Sequence, residues 1–233
     1  MKNLLLTFAF VLLTASVFGQ KKNKTVTVIN HDSLAYTMAL SVGDTNAAIS
    51  ALYQMNVKTP NNTDKLYLLA NLYFGKKEYN QCINVCNLIL LQNSKHLKGL
   101  NLLAAAYLED HNAEGAILVY QQLDSIAPSA GNKYQIATIL YQKKKFQESL
   151  NYLGTIIADS LSKKENMTMT YQNSSKQYLN QNVSTLAAAY NMAGYILLEN
   201  GDRDRAKSLF EQALKIQPDF QLAKGNLAVA EKK

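Results

Sequence analysis

The chain has 233 residues, of which 48% are hydrophobic and 18% are charged, and its formal net charge is +7. This hydrophobic content is enough for a continuous core. The lysines and arginines are scattered along the chain rather than grouped in a stripe, which argues against nucleic-acid binding. The positive balance fits contact with an anionic envelope surface, or solubility alone.

Residues 1–19 have the features of a secretory signal peptide. A lysine near the N-terminus precedes an uncharged stretch at residues 4–15, and Val17 and Gly19 suit a signal peptidase. Cleavage is predicted before Gln20. A retained membrane anchor is the alternative, but a span needs about 20 apolar residues. With no cysteine near the cleavage point, a lipid anchor is also disfavoured. We therefore expect a periplasmic or otherwise exported protein.

Residues 20–28 form a basic N-terminal arm. Its lysines are Lys21, Lys22 and Lys24, and a short strand-like alternation of threonine and valine follows them.

From residue 29 onward a pattern recurs with a period of about 34 residues. One position is small in every unit, and the positions four and seven residues later are hydrophobic. The small positions are Ala48, Cys82, Ala116, Ser149 and Ala206. Prolines end three of the units, at Pro60, Pro128 and Pro218. This spacing predicts units of two antiparallel helices, A and B, joined by a tight turn.

Four such units occupy residues 29–163. Unit one has Gly43 at its turn, where glycine frees the backbone. Units two to four place Lys77, His111 and Lys144 there instead. We expect these three residues to adopt the same strained turn conformation at a small energetic cost.

Residues 164–186 interrupt the period, because the spacing from Ser149 to Ala206 is 57 residues. Met167, Met169 and Tyr171 alternate with polar residues, a rhythm typical of a short strand. One interpretation is a loop or small strand that contributes to partner binding. The other is a mobile connection, or a longer helix A in unit five.

Unit five, at residues 187–220, resembles the tetratricopeptide repeat (TPR) consensus most closely. The matching residues are Tyr190, Ala193, Gly194, Gly201, Asp202, Ala206, Phe210, Ala213 and Pro218. The resemblance extends over nearly all of the chain after residue 28. It implies an all-α fold, a right-handed superhelix or α-solenoid of about five helix-turn-helix repeats. Residues 221–233 would form a C-terminal capping helix.

Catalysis is not expected. Sequence motifs for phosphate loops, metalloproteases and serine hydrolases are absent. Cys82 and Cys86 share one face of helix B at core positions, and no histidine clusters with them, so we interpret them as buried thiols. We predict no enzyme activity, no cofactor and no metal site.

The TPR resemblance implies a concave groove lined by residues of each helix A. Tyrosine and phenylalanine offer rigid apolar contact there, and asparagine can hold a peptide backbone. The predicted groove residues are Tyr67, Asn71, Phe74, Lys98, Asn101, Leu108, Tyr134, Tyr141, Asn191 and Tyr195. The alternative is that these side chains are only a solvated inner face.

Three Asp-Ser-apolar triplets resemble the O-glycosylation sequon of exported Bacteroidota proteins. The asparagine-rich composition also resembles that of exported proteins of this phylum. Of the three serines, Ser160 is the predicted acceptor, because it lies just before the interruption and is expected to be accessible.

The leading hypothesis is an exported TPR scaffold or adaptor that binds a protein or peptide partner in its groove during cell-envelope assembly. It would have no membrane span after signal cleavage. A glycan- or peptidoglycan-binding protein is the first alternative. The second is a structural subunit whose groove is occupied by its own N-terminal arm or by a second copy in a homo-oligomer.

Overall fold

A computed structural model describes residues 31–60, 62–159, 162, 164–173 and 175–232. The predicted signal peptide, the basic arm and Ser160 lie outside these residues. The helices are α1 (His31–Ser41), α2 (Thr45–Lys58), α3 (Thr63–Gly75), α4 (Tyr79–Gln92), α5 (Leu97–Glu109), α6 (Ala113–Ile126), α7 (Ala130–Gln142), α8 (Phe146–Ala158), α9 (Thr185–Glu199), α10 (Arg203–Ile216) and α11 (Gln221–Glu231). Two strands, β1 (Asn166–Gln172) and β2 (Tyr178–Ser184), lie between α8 and α9.

Helices α1 to α10 pair into the helix-turn-helix units that the repeat predicts, and α11 follows as the expected last helix. Each helix packs against the next repeat helix, and helix A of one unit also contacts helix A of the next in two places, α3 with α5 and α7 with α9. The small repeat positions are fully buried where helices A and B cross, at Ala48, Cys82, Ala116, Ser149 and Ala206. A bulkier side chain there would hold the two helices apart.

The turns between helices A and B adopt the left-handed backbone conformation that the sequence predicts. Gly43 and Gly201 have φ angles of +75° and +82°. Lys77, His111 and Lys144 have φ angles of +61°, +59° and +60° at the same point of units two to four. The turn geometry is therefore a property of the repeat, and glycine is used for it only in units one and five.

The buried residues form two principal clusters. One runs through α2 to α6 and includes Leu52, Ile89 and Leu103. The other joins α7 to α11 and includes Ile156, Phe220 and Val183 of β2. The second cluster thus contains residues of the interruption as well as residues of the repeats.

The interruption is an antiparallel hairpin in which Met167 pairs with Val183 and Tyr171 with Leu179. The alternation at residues 167–171 therefore marks a real strand. The alternative interpretation, a longer helix A in unit five, is wrong, because α9 begins only at Thr185. The hairpin is also the one departure from an all-α fold among the described residues.

Within the described ranges, each helix is too short or too polar to cross a bilayer.

Candidate functional site

A cavity of about 470 Å³ lies between the repeat helices and the hairpin. Its walls are the A helices α7 and α9, the last helix α11, and strand β1. The lining residues are Tyr134, Gln135, Thr138, Tyr141, Gln142, Met167, Thr168, Met169, Asn191, Met192, Tyr195, Leu222 and Asn226. None of these side chains is charged. The cavity therefore suits an uncharged, largely apolar group.

Four of the predicted groove residues meet in this cavity, namely Tyr134, Tyr141, Asn191 and Tyr195. Helical spacing explains the arrangement, because Tyr134, Thr138 and Tyr141 fall on one face of α7. The rings of Tyr141 and Tyr195 make an edge-to-face contact with centroids 6.0 Å apart. Together they form an aromatic pair in the lining of the cavity.

The hydroxyl of Tyr141 donates a hydrogen bond to Glu199 Oε2 over 2.9 Å. Desolvation, followed by this bond to the carboxylate, raises the pKa of Tyr141 above its ordinary value. Burial alone raises the pKa of Tyr134 to about 12. Both phenols are therefore neutral at physiological pH. The Tyr141 hydroxyl already donates its hydrogen to Glu199, whereas the Tyr134 hydroxyl keeps its own as a donor.

Asn191 is only 5% exposed. Its Oδ1 accepts a hydrogen bond from Asn226 Nδ2 over 2.8 Å, which ties α9 to α11. Among the described residues, no hydrogen bond uses the Asn191 amide nitrogen or Asn226 Oδ1. One donor group and one acceptor thus remain at the cavity, which is the combination a peptide unit requires.

Glu165 fixes the β1 end of the hairpin to the N-terminus of α7. Its carboxylate accepts from the hydroxyl of Ser129 at 2.8 Å. It also accepts from the backbone N–H groups of Ala130 and Gly131, at 3.1 and 3.3 Å. An acidic side chain is favoured at this point, because the first turn of a helix leaves N–H groups unpaired and carries partial positive charge.

The β2 end of the hairpin is fixed to the junction of α10 and α11. The side-chain amide of Gln217 accepts from Ser184 N–H at 2.9 Å and donates to Asn182 C=O at 3.0 Å. Gln181 donates to Asp219 C=O and accepts from Gln221 N–H, at 2.9 and 3.0 Å. Both strands of the hairpin are therefore fixed to the helices, the first through Glu165 and the second through Gln181, Asn182 and Ser184. Strand β1 carries Met167 and Met169 to the cavity.

The other predicted groove residues lie outside this cavity. Asn71 and Asn101 are exposed, and each donates to the carbonyl four residues earlier in its own helix. Phe74 makes an edge contact with Tyr79, and Tyr67 a tilted contact with His96. Lys98 is exposed. Leu108 instead packs between helices, beside Ala113 and Ile139.

Several residues that enclose the cavity carry no recognisable sequence signal. Leu222 and Asn226 belong to the last helix, for which only a capping role was predicted. Glu165 and Gln217 fall in no motif. The alternation around Met167 and Met169 was the available signal, but it did not indicate which helices the strand would face.

Cys82 and Cys86 are fully buried, as the sequence predicts, and the structure has no disulfide between them. Within the described part of the chain, no group of three or more His, Cys, Asp or Glu side chains could hold a metal ion. The predicted acceptor Ser160 lies outside the described residues, so its glycosylation remains a prediction.

Comparison with known proteins agrees with this architecture. Residues 187–220, which form unit five, match the sequence model of the tetratricopeptide repeat family. The uncharacterized protein ycf37 of Pyropia yezoensis is 31% identical over 116 residues, or 48% of this chain. That alignment spans 64% of the relative's length.

Solved structures share the fold at low sequence identity. MamA superposes with a TM-score of 0.57 at 17% identity, over 78% of this chain and 94% of MamA. YrrB, whose structure is described as a TPR protein with an unusual peptide-binding site, gives a TM-score of 0.55 at 15% identity. That match covers 82% of this chain and 87% of YrrB. The fold of this chain is therefore a TPR α-solenoid.

Proposed function

We propose that this chain is an exported TPR scaffold that binds a protein or peptide partner in its concave groove, without catalysis, during assembly of the cell envelope. The observation that carries the proposal is the cavity of about 470 Å³ at which four predicted groove residues meet. Its uncharged lining, with a few hydrogen-bonding groups among apolar surfaces, is typical of a site that binds part of a larger ligand.

TPR folds are binding scaffolds, and the structure of YrrB is described by its peptide-binding site. The same use of the groove is proposed for this chain. Export rests on the features of residues 1–19, and the role in the envelope follows from export.

The test is an affinity capture from envelope extract with three forms of the protein. The first is the parent. The second carries Tyr141→Ala and Tyr195→Ala at the cavity, and the third carries Tyr67→Ala and Asn101→Ala in units two and three. Circular dichroism would establish that both variants fold.

We expect a partner that is retained by the parent and by the third form but lost by the second. A partner that all three forms retain equally would remove the groove from consideration. Retention of saccharides but not of proteins would favour the glycan-binding alternative, for which Tyr195, 37% exposed, offers a stacking surface.

A further inference from the structure

Among the described residues, no other strand pairs with the outer edge of strand β1. The sheet has two strands, so β1 bonds to β2 on one side only. Natural proteins usually protect such an edge with charged residues or proline. Strand β1 reads Asn-Met-Thr-Met-Thr-Tyr-Gln and contains neither. Its outer edge is therefore open to pairing with a further strand.

The hydrogen bonds at the two ends of the hairpin show which residues form that edge. Thr185 N–H donates to Glu165 C=O at one end, and Asn173 N–H donates to Gln177 C=O at the other, both over 2.9 Å. Along a strand of an antiparallel pair, the backbone N–H and C=O groups of successive residues alternately point toward the partner strand and away from it. Residues 167, 169 and 171 thus bond to β2. The outward backbone groups belong to Asn166, Thr168, Thr170 and Gln172.

Among the described residues, no hydrogen bond uses the outward backbone N–H or C=O groups of these four residues. The edge also borders the cavity. Met167, Thr168 and Met169 all line it, although neighbouring side chains of a strand point to opposite faces. Thr168, whose backbone groups face outward, is thus one of the three β1 residues that line the cavity, so the cavity reaches the strand at a residue of its open edge.

We infer that the groove binds an extended segment of a partner protein as an added strand on β1. The inference rests on the proposed function and names the form of the ligand. The partner's backbone pairs with Thr168 and its outward neighbours. Every second side chain of the partner enters the cavity and contacts Tyr134, Met192 and Leu222. Because the lining is uncharged, those side chains are apolar, and the segment alternates apolar with polar residues.

A partner segment fits this place better than a second copy of the chain. Paired strands lie about 4.8 Å apart, so one extended segment fits beside β1 over the cavity. A second copy pairing through its own β1 would bring its own α7 and α9 to the same edge, because these helices line the cavity beside β1. A single extended segment brings no helices with it.

The test uses peptides of 12 residues selected from a random display library on the parent protein. One selected peptide is labelled, and its Kd is measured by fluorescence polarisation against the parent, Thr168→Pro and Thr168→Val. Proline removes the outward N–H of residue 168 and leaves the ladder to β2 intact, because edge strands tolerate it. Valine keeps that N–H, so it is the matched control.

We expect Thr168→Pro to weaken binding about tenfold or more, since at least one backbone hydrogen bond is lost, and Thr168→Val to change it less than threefold. N-methylation of alternate peptide amides should weaken binding to the parent to the same degree. That measurement leaves the protein unchanged, so it decides the question even if Thr168→Pro fails to fold.

Other outcomes would overturn the inference. If the peptide bound Thr168→Pro as tightly as the parent but failed to bind Tyr141→Ala with Tyr195→Ala, the groove would bind peptides in another form, and the proposed function would stand. If no peptide were selected, the proposed function itself would fail. Binding that required removal of residues 20–30, or a dimer abolished by Thr168→Pro, would assign the edge to the chain itself.

Discussion

Units two and three use the same repeat positions as units four and five, but the cavity that four predicted groove residues line is formed by units four and five. Tyr67, Asn101, Tyr134 and Asn191 occupy one equivalent position in successive units. Tyr67 is half-buried and Asn101 is exposed, whereas Tyr134 and Asn191 are 7% and 5% exposed. The extra burial comes from the hairpin and α11, which lie only beside units four and five.

The aromatic contacts show that the repeats themselves are alike. Phe74 packs on Tyr79 in unit two with ring centroids 5.6 Å apart. Tyr141 packs on Phe146, the equivalent pair in unit four, at 5.9 Å. The comparison teaches that the repeat supplies side chains along the whole groove, and that an element outside the repeat turns part of the groove into a site.

The largest expected effect concerns Gly194, where α9 crosses α10. Gly194 lies where units two to four have Ala70, Ala104 and Ala137. A Cβ there would lie 2.7 Å from the ring of Phe210 and 3.1 Å from Ala206 C=O. Gly194→Ala should therefore destabilise the protein by about 2 kcal/mol in urea unfolding, although alanine favours a helix.

Two variants serve as controls for that prediction. Gly154→Ala meets nothing within 4 Å and should stabilise by about 0.5–1 kcal/mol. Adding Phe210→Leu to Gly194→Ala reproduces the residue pair of unit four, which has Leu153 and Ala137 at these positions. The double variant should be about 1 kcal/mol more stable to unfolding than the sum of the two single effects. No coupling would mean that the small position acts independently of its neighbour across the crossing.

A slightly smaller effect should detach the hairpin from the repeats. Glu165→Ala removes an acceptor of three hydrogen bonds at the start of α7 and should destabilise by about 2 kcal/mol. Glu165→Gln keeps an acceptor and should cost about 1 kcal/mol. Hydrogen exchange should rise at residues 166–184 but not in units two and three. Unchanged exchange in the hairpin would contradict its anchoring through Glu165.

Alkaline pH should weaken the cavity wall. The pKa of Tyr134 is about 12 in the folded chain, against 10.0 for a free tyrosine. Stability is therefore unaffected below pH 10 and falls as pH rises toward 12, because the unfolded chain loses the proton first. Between pH 9 and 11, Tyr134→Phe should reduce this loss by about 1 kcal/mol in urea unfolding. An identical loss in the variant would show that Tyr134 is not the responsible group.

The smallest expected changes in stability concern the turns, and they should be equal in units two and four. Lys77→Gly in unit two and Lys144→Gly in unit four each place glycine at a φ near +60°. Each should stabilise by about 0.5–1 kcal/mol in thermal unfolding, because side chains disfavour that conformation. A gain in one unit only would show that the turns, and not the hairpin alone, distinguish the two halves.

The helices and turns could be predicted from the sequence because they depend on residues close to one another in the chain. The buried positions at Cys82 and Phe210 and the left-handed turn at His111 follow from a spacing repeated along the chain. Strand β2 could not be predicted in the same way. Its residues, Tyr178–Ser184, are mostly polar and exposed. They form a strand because they pair with β1 and because Gln217 and Gln181 hold them beside the junction of α10 and α11.

The candidate site was predictable only in part for the same reason. Tyr134, Tyr141, Asn191 and Tyr195 follow from their place in helix A. The walls contributed by Met167, Leu222 and Asn226 depend on contacts between segments more than 20 residues apart in sequence. No local pattern encodes those contacts.

The central claim is that the ligand binds where hairpin and repeats meet. Hydrogen-exchange mass spectrometry of the parent, with and without a selected peptide, tests it most directly. We expect bound peptide to slow exchange at residues 134–142, 166–172 and 191–195, and to leave residues 66–74 and 98–108 unchanged. Protection confined to residues 66–74 and 98–108, with the hairpin unaffected, would contradict the claim and place binding in the open groove of units two and three.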